Sequence, residues 1–334
     1  MAAAFQLPTA EDVLHACAKL TGVAVETPLL QSEILNCVTG ASIWVKCENL
    51  QRTGAFKFRG AYNCLSRLDK KAYPGGVVAY STGNHGQAIA AVGRMLDIPT
   101  TVVMPSDAPA VKIAKAQQNG AHVVLYDRRT QSREKIAAEI AAQAPVAVIP
   151  PGDNPYIIAG QGTAIVESLR QLGTNSIDIA MVPCGGGVLA AGTILGLEAK
   201  KSNAEVWAVE PHQFDDIRRS LAAGSRQVNN QLTGSICDAL LASTPAELPF
   251  AIIQHRLSKV LTATDKDVLR AIRFAFDELR LVVEPGGIIA LASLLNARDA
   301  VRGKRVLLLI SGGTVEIDVF KRALDTTADF SAAA

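Results

Sequence analysis

The chain has 334 residues, of which 49% are hydrophobic and 19% are charged, and this composition is typical of a soluble globular protein with two domains. Its formal net charge of +2 gives no reason to expect binding to nucleic acid or to an acidic membrane. Because no run of about 18 uncharged apolar residues is present, we expect no membrane-spanning segment.

The N-terminus and the cysteines indicate where the protein resides. Residues 1–5 lack the charged and apolar regions of a signal peptide. No two cysteines have the spacing of a Cys-x-x-Cys motif, which favours free, mostly buried thiols over disulfides or a zinc site. We therefore expect a cytoplasmic protein. The six cysteines are Cys17, Cys37, Cys47, Cys64, Cys184 and Cys237.

Strands and helices alternate along the first half of the chain. A helix is predicted over residues 9–20, where Thr9 and Asp12 can form a capping box, and a β-rich run follows at 41–47. The apolar runs beyond residue 76 do not alternate with polar residues, as expected for strands covered on both faces, so we expect a parallel sheet of about four strands. The predicted strands are 77–81, 101–104, 122–126 and 146–149, and the predicted helices are 87–96, 109–119 and 132–143.

The stretch PPGDNP at residues 150–155 is the strongest break in the chain and a plausible domain crossing. A second α/β unit follows it, interrupted by a loop-rich stretch at 227–248. Beyond residue 324 the chain is rich in Thr, Ala and Ser, and we expect it to fray. The predicted strands of this unit are 178–183, 205–209 and 305–310, and its predicted helices are 158–172, 189–200, 215–223, 265–279 and 287–295.

The most informative stretch surrounds Lys57, in the segment TGAFKFRGA of residues 53–61. Lys57 lies between Phe56 and Phe58, and apolar surroundings disfavour the ammonium form, so more free amine is available near neutral pH. A free amine in an apolar pocket is suited to forming a Schiff base with a carbonyl compound. The alternative is a surface lysine whose stem packs on one of the two rings.

Two glycine-containing turns lie where a predicted strand enters a helix. In STGNHGQ, residues 81–87, the backbone N–H groups at the helix start can hold an anion and Asn84 offers a donor and an acceptor; the alternative is a capped turn. Three glycines, Gly185 to Gly187, would let the backbone approach a phosphate closely. The spacing matches neither a dinucleotide fingerprint nor a P-loop, which indicates a smaller phosphate ligand, or else a plain helix-packing turn.

Two further motifs follow strands of the second unit. SGGT, residues 311–314, ends the last predicted strand and offers an uncharged hydroxyl at Ser311. EPHQFDD, residues 210–216, carries carboxylates that could hold a hard cation with a backbone carbonyl between them. The same carboxylates could equally begin a helix with a favourable dipole charge.

Together these motifs resemble the fold type II pyridoxal-phosphate enzymes, most closely the threonine/serine dehydratase and serine racemase family. The resemblance spans about residues 27–317, and five motifs occur in the family's order: residues 51–61, 81–87, 185–187, Glu284-Pro285 and 311–313. It implies an α/β fold of two open, mostly parallel sheets with helices on both faces. It also implies a large domain from residues 1–70 and 152–334, a small domain from 71–151 that closes over the substrate, and a homodimer.

The resemblance also implies how pyridoxal 5′-phosphate is bound. Lys57 would hold its aldehyde as a Schiff base, Phe56 would stack near the ring, and Asn84 would bond the 3′-hydroxyl. Ser311 would bond the pyridine nitrogen, and Glu284 would lie near the ring. Backbone N–H groups would hold the phosphate, and they belong to Gly185, Gly186, Gly187, Val188 and Leu189.

Sites for the substrate and for a cation are implied in the same way. Arg133 aligns with an arginine at the mouth of the racemase site and could pair with a second carboxylate, as in 3-hydroxyaspartate; the alternative is a helix-surface arginine. The divalent-cation site, for Mg²⁺ or else Ca²⁺ or Mn²⁺, would use Glu210, the carbonyl of Phe214 and Asp216. The residues implied to hold the substrate carboxylate are Ser81, Thr82, Gly83 and His85.

The implied activity is α,β-elimination of a β-hydroxy amino acid, of the L-threonine or L-serine type, to a 2-oxo acid and ammonia. Lys57 would take the α-proton. Thr82, the second expected catalytic residue, stands where racemases carry a serine, and its added methyl group favours dehydration over racemisation. The alternatives are a 3-hydroxyaspartate dehydratase, a serine or aspartate racemase with dehydratase side activity, and a catalytically idle binding protein.

Overall fold

The computed structural model describes residues 6–81 and 83–327. Within these ranges ten strands form two sheets, and fourteen α-helices pack around them. The strands are β1 (Leu29–Gln31), β2 (Ser42–Cys47), β3 (Val77–Tyr80), β4 (Thr100–Pro105), β5 (His122–Tyr126), β6 (Ala147–Ile149), β7 (Ile179–Pro183), β8 (Glu205–Pro211), β9 (Lys259–Ala263) and β10 (Arg305–Ile310). The helices are α1 (Ala10–Leu20), α2 (Glu33–Thr39), α3 (Lys57–Leu65), α4 (Asn84–Met95), α5 (Ala110–Gln118), α6 (Arg133–Gln143), α7 (Pro155–Leu172), α8 (Val188–Ala199), α9 (Asp216–Ala223), α10 (Glu247–Ile253), α11 (Asp265–Phe274), α12 (Pro285–Asn296), α13 (Arg298–Val301) and α14 (Ile317–Leu324).

The smaller sheet has four parallel strands in the order β5-β4-β3-β6. Successive side chains of β4 point to opposite faces, and both faces are buried. Val102 packs in a cluster with residues of α4 and α5, whereas Val103 packs in another with Ala137 of α6. This two-sided burial is why the strand sequences do not alternate, and it confirms the prediction of a four-stranded parallel sheet.

The larger sheet has six strands in the order β1-β2-β10-β7-β8-β9, and only β1 runs antiparallel to its neighbour. Leu307 and Leu309 of β10 face one core cluster, which includes residues of α7 and α8. Val306 and Leu308 face a second cluster, which includes residues of α11 and α12. The predicted fold class, two open and mostly parallel sheets with helices on both faces, is therefore confirmed.

Several short elements were not predicted from the sequence. β1, α2, α10 and β9 contain three to seven residues each, too few for a clear hydrophobic period. α4 begins at Asn84, three residues earlier than predicted, which places the STGNHGQ motif partly on its first turn. The predicted helix over 265–279 is present as α11, followed by a π-helical turn at Ala275–Leu279.

The helix that carries Lys57 is fixed by a buried charge network. Arg59, two residues into α3, is 1% exposed and lies between Glu48 and Glu167. Its guanidinium donates to Glu48 at 2.7 and 2.8 Å and to both carboxylate oxygens of Glu167 at 3.0 Å. Lys46, also buried, donates to Glu167 at 2.5 Å. Two cations thus face two carboxylates, and this balance anchors the start of α3 to β2 and α7.

Three other expectations concern the chain as a whole. All six cysteines are free and four of them are buried, as predicted. No helix among the described residues is both long and apolar enough to cross a membrane. The strands of the smaller sheet all lie between Val77 and Ile149, inside the range predicted for a small domain, while the boundaries at residues 71 and 152 stay a prediction.

Candidate active site

A cavity of about 260 Å³ opens at the carboxyl ends of strands from both sheets. Ser81 follows β3, Gly185 follows β7 and Ser311 follows β10, and all three line this cavity. In open α/β sheets, ligands bind beyond the carboxyl ends of the strands. The STGNHGQ, triple-glycine and SGGT motifs therefore meet at one place in the fold.

Lys57 projects into this cavity from the first turn of α3. Its Nζ donates to the carbonyl oxygen of Pro151 at 3.0 Å and lies 5.4 Å from the centre of the Phe56 ring. Burial disfavours the charged amine and lowers the pKa of Lys57 to about 7, so a large fraction of free amine is present at neutral pH. The Lys57 side chain therefore has the position and the fraction of uncharged amine that Schiff-base chemistry requires.

The triple-glycine turn forms the start of α8 on the opposite wall. Gly187 is its N-cap, with φ of 90° and no side-chain cap, so backbone N–H groups of the first turn are left for a ligand. A Cβ atom at Gly185 would lie 3.1 Å from the Cα of Leu240, so a larger residue there would push the facing loop back by a few tenths of an ångström. The cavity-lining residues of this turn are Gly185, Gly186, Gly187, Val188 and Leu189.

The first turn of α4 supplies two buried polar side chains. Asn84 donates through Nδ2 to Glu284, while its Oδ1 is buried and has no hydrogen-bond partner among the described residues. His85 is 2% exposed, with Nε2 3.3 Å from the carbonyl oxygen of Ile149. Burial, and next the charge of Lys57, lower the pKa of His85 to about 3. His85 is therefore neutral at physiological pH, and its Nδ1 has no partner within the described ranges.

Ser311 lies at the end of β10, beside the lysine segment. Its carbonyl oxygen accepts from the N–H of Phe56 at 3.1 Å, and Ala55 forms a β-bridge with Gly312. This pairing joins the SGGT motif to the segment that carries Lys57. Ser311, Phe56 and Lys57 consequently line one wall of the cavity together.

Two arginines line the cavity mouth. Arg133, at the start of α6, pairs with Glu134 through Nε at 2.7 Å and stacks 5.3 Å from the centre of the Tyr80 ring. Arg226 follows α9 and donates to the carbonyl oxygen of Pro245 at 3.2 Å. Sequence reasoning missed Arg226 and the cavity wall formed by residues 239–246, because that loop carries no periodic or motif signal.

Not every predicted site residue lines the cavity. Gly83 lies in the turn beside it, where its N–H donates to Ser81 Oγ at 3.0 Å. Glu284 is 1% exposed and lies behind Asn84. Thr82 lies outside the described residues.

The three residues predicted for a cation lie apart from the cavity lining, between β8 and α9. Glu210 accepts from the N–H groups of Ile217 and Arg218 at 2.8 and 3.0 Å, so it caps α9. Burial, and then the nearby charge of Asp216, raise the pKa of Glu210 to about 9. Asp216 Oδ2 is buried without a hydrogen-bond partner in the described part of the chain. Phe214 is buried beside them; the cation site stays a prediction.

A family model described as "Pyridoxal-phosphate dependent enzyme" matches residues 20–312. The matched range includes every wall of the cavity. The chain belongs to this pyridoxal-phosphate-dependent enzyme family.

Individual relatives match over nearly their whole length. An L-threo-3-hydroxyaspartate ammonia-lyase from Pseudomonas sp is 41% identical, covering 96% of this chain and 99% of the relative. An enzyme of the same name from Saccharomyces cerevisiae is 39% identical, covering 93% of this chain and 94% of the relative. The crystal structure of serine racemase from Dictyostelium discoideum has a TM-score of 0.84 and 34% identity, covering 93% of this chain and 99% of that one. The protein is thus a pyridoxal-phosphate-dependent enzyme of the ammonia-lyase and serine racemase family.

The cavity has the features that this cofactor requires. An amine with a lowered pKa faces the space, an uncapped helix start with three glycines can hold a phosphate, and the buried amide oxygen of Asn84 has no partner among the residues described. These observations fit pyridoxal phosphate independently of the family match. The role of each residue toward the cofactor stays a prediction.

Proposed function

We propose that this enzyme eliminates the β-hydroxyl group of a 3-hydroxyaspartate and releases ammonia and a four-carbon 2-oxo dicarboxylic acid. The sequence favoured L-threonine or L-serine and kept 3-hydroxyaspartate as the alternative. The names of the two ammonia-lyases described above support the alternative. The observation that carries the proposal is the presence of two arginines, Arg133 and Arg226, at the same cavity.

Arginines line the cavity and suit a substrate with two carboxylates; the acidic residues that also line it are Glu134 and Asp153. The backbone of the Ser81–Gly83 turn and His85 are proposed to receive the α-carboxylate. Arg133 uses Nε for Glu134, and its other guanidinium N–H groups form no hydrogen bond to a described residue. These free donors suit a second carboxylate, because an arginine fork and a carboxylate match in geometry. A threonine methyl group would leave them without a partner.

The cofactor, when bound, supplies the electron sink that makes the α-proton of the amino acid acidic. Lys57 is proposed to take that proton, because its pKa of about 7 makes it a base at neutral pH. Asn84 and Ser311 are proposed to contact the ring, and the start of α8 to hold the phosphate. Ser311 is uncharged, so it gives no reason for a protonated ring nitrogen. The resulting weaker electron sink favours elimination, in which the hydroxyl leaves as the α-proton is lost.

We also propose that Glu210, Asp216 and the carbonyl of Phe214 hold a divalent cation such as Mg²⁺. Two buried carboxylates, one with an oxygen that has no partner among the described residues, suit a hard cation that prefers oxygen ligands. The cation would neutralise both carboxylates and stabilise the start of α9. The expected homodimer and the cytoplasmic location are further proposals, and size-exclusion chromatography tests the first of them.

A substrate panel tests the proposed activity. Purified holoenzyme is assayed with L-threo-3-hydroxyaspartate, L-threonine and L-serine, with ammonia and 2-oxo acid as readouts. We expect kcat/KM for 3-hydroxyaspartate to be the highest. A higher value for L-threonine would contradict the proposal, and chiral chromatography that shows D-serine forming faster than 2-oxo acid would indicate a racemase instead.

Substitution at Arg133 tests the second-carboxylate contact. Removing a charge-assisted hydrogen bond costs about 1.5–3 kcal/mol, so Arg133→Met should lower kcat/KM for 3-hydroxyaspartate roughly 10- to 150-fold and change L-serine turnover much less. Arg129→Met, on the exposed turn before α6, is the matched control and should change neither value. Equal losses for both substrates in Arg133→Met would show that the residue does not read the second carboxylate.

A further inference from the structure

Helix α5 carries a buried lysine that the reaction proposed above does not use. Lys112 is fully buried, and its Nζ lies 2.6 Å from Asp238 Oδ2 and 3.0 Å from Glu284 Oε2. α5 packs with the smaller sheet, whereas Asp238 begins a 3-10 turn after α9 and Glu284 caps the start of α12, which packs against the larger sheet. Lysine is rarely buried unless it is paired, so the two carboxylates compensate the buried ammonium group.

Glu284 connects this ion pair to the cavity. Its Oε1 accepts a hydrogen bond from Asn84 Nδ2, and an ionised carboxylate can only accept. As long as Glu284 is charged, the amide of Asn84 must turn its NH₂ group toward it. A protonated Glu284 could instead donate to Oδ1 of Asn84, which has no partner in the described part of the chain, and so reverse the amide.

We propose that Lys112 is a positioning residue, which keeps Glu284 ionised and thereby fixes the orientation in which Asn84 presents its amide to the cofactor ring. The inference rests on the proposed contact between Asn84 and the ring. It does not depend on which hydroxy amino acid is the substrate, so a different substrate preference would leave it intact.

The charges around Glu284 give the reason. The pKa of Glu284 lies above its ordinary value, because burial and next the charge of Asp238 raise it; the charge of Lys112, with hydrogen bonds from Lys112 and Asn84, limits this rise. Burial alone would lower the pKa of Lys112, but Glu284 and Asp238 raise it well above its ordinary value. Among the described residues, the charged groups facing Glu284 are Lys112 from α5 and Asp238 from the turn after Cys237; Asn84 from α4 is neutral. Without Lys112, every remaining electrostatic influence on Glu284 except the Asn84 hydrogen bond favours its protonation.

The stem of Lys112 also supports the turn before α4. A Cβ atom at Gly83 would lie 2.4 Å from Cδ of Lys112, so the turn rests directly on this side chain. Methionine has a similar length and no charge, and it therefore removes the cation with little change in packing. Lys112→Met is the substitution that separates charge from volume.

The test uses the absorption spectrum of the holoenzyme without substrate, recorded against pH. The hydrogen bond to the ring hydroxyl influences the balance between visible and near-ultraviolet bands of the bound cofactor, so this ratio reports on Asn84. An opposite charge nearby shifts a carboxyl pKa by about 1–3 units, so Lys112→Met should raise the pH midpoint of the spectral change by about that amount. An unchanged midpoint would overturn the proposal.

A matched control lies one turn further along the same helix. Lys115 donates to Thr314 Oγ1 at 3.3 Å, so it also joins α5 to the larger sheet, but it has no ion pair with Glu284. Lys115→Met should leave the midpoint unchanged. Equal shifts in both variants would show that α5 merely holds the two sheets together, which would overturn the role proposed for Lys112.

Two more variants keep the test decisive if Lys112→Met does not fold. Asp238→Asn removes the like charge beside Glu284 and should lower the midpoint; an unchanged or higher midpoint contradicts the proposal. The double variant Lys112→Met with Glu284→Gln removes both members of the pair and should abolish this spectral titration. If the spectrum of the double variant still changes with pH, at the midpoint found for Lys112→Met alone, then Glu284 is not the group that titrates.

Discussion

Replacing Arg59 by methionine tests whether the buried charge network holds the start of α3. The guanidinium makes four hydrogen bonds of 2.7–3.0 Å to Glu48 and Glu167. Its removal leaves two carboxylates facing Lys46 alone, and Glu48 is 0% exposed. Breaking one side of a buried ion pair costs about 3–5 kcal/mol, and we expect this decrease in the free energy of unfolding at pH 7.

The pH dependence of this loss follows from Glu48. Burial by itself would raise the pKa of Glu48, but the charge and hydrogen bonds of Arg59 hold it below its ordinary value. A lowered pKa in the folded state contributes stability above the unfolded pKa of about 4.3, and this contribution is lost as the pH falls through the folded value. The deficit of Arg59→Met relative to the natural protein should therefore be largest at neutral pH and shrink in acid.

Urea unfolding of the cofactor-saturated protein, followed by circular dichroism at pH 7 and pH 4, measures both effects. Arg305→Met is the matched control, since Arg305 pairs with Asp178 at the surface and such pairs contribute little. A loss below about 1 kcal/mol at pH 7 would refute the reasoning, as would a deficit that is the same at both pH values.

Three further predictions concern the site itself. Lys57→Ala should abolish the covalent link to pyridoxal phosphate, so mass spectrometry after borohydride reduction should find no adduct; a remaining adduct at full occupancy would disprove the assignment. In the cofactor-free protein, Lys57 should react with added pyridoxal phosphate at a rate that rises through about pH 7, because burial lowers the pKa of its amine to that value. A rate that rises only above pH 9 would show that burial does not lower this pKa. A chelator should lower the thermal unfolding temperature if Glu210 and Asp216 hold a cation, and Glu210→Gln should remove that response; a natural protein indifferent to the chelator would end the cation proposal.

Local patterns determined most of the architecture. The uninterrupted apolar run of β10 predicts a strand buried on both faces, and the structure buries Leu307 and Leu308 in different clusters. The segments at Lys57, Gly185 and Ser311 stand out because glycines, aromatic neighbours and strand ends are all visible in sequence. Parallel strands bring their carboxyl ends to one edge of a sheet, so the turns after β7 and β10 are expected to lie together; that Lys57 joins them was implied only by the family resemblance.

The tertiary structure alone decided which charges are buried together. Lys112 has the sequence context of an ordinary helix lysine, and it is buried because Asp238 reaches it across a separation of 126 residues. The same holds for Arg226, which lines the cavity only because the loop after α9 folds against residues 239–246. Hydrophobic period and turn chemistry act over a few residues, so they specify strands, helices and loops. The position of an ion pair depends on how those elements pack, and only the folded chain sets that.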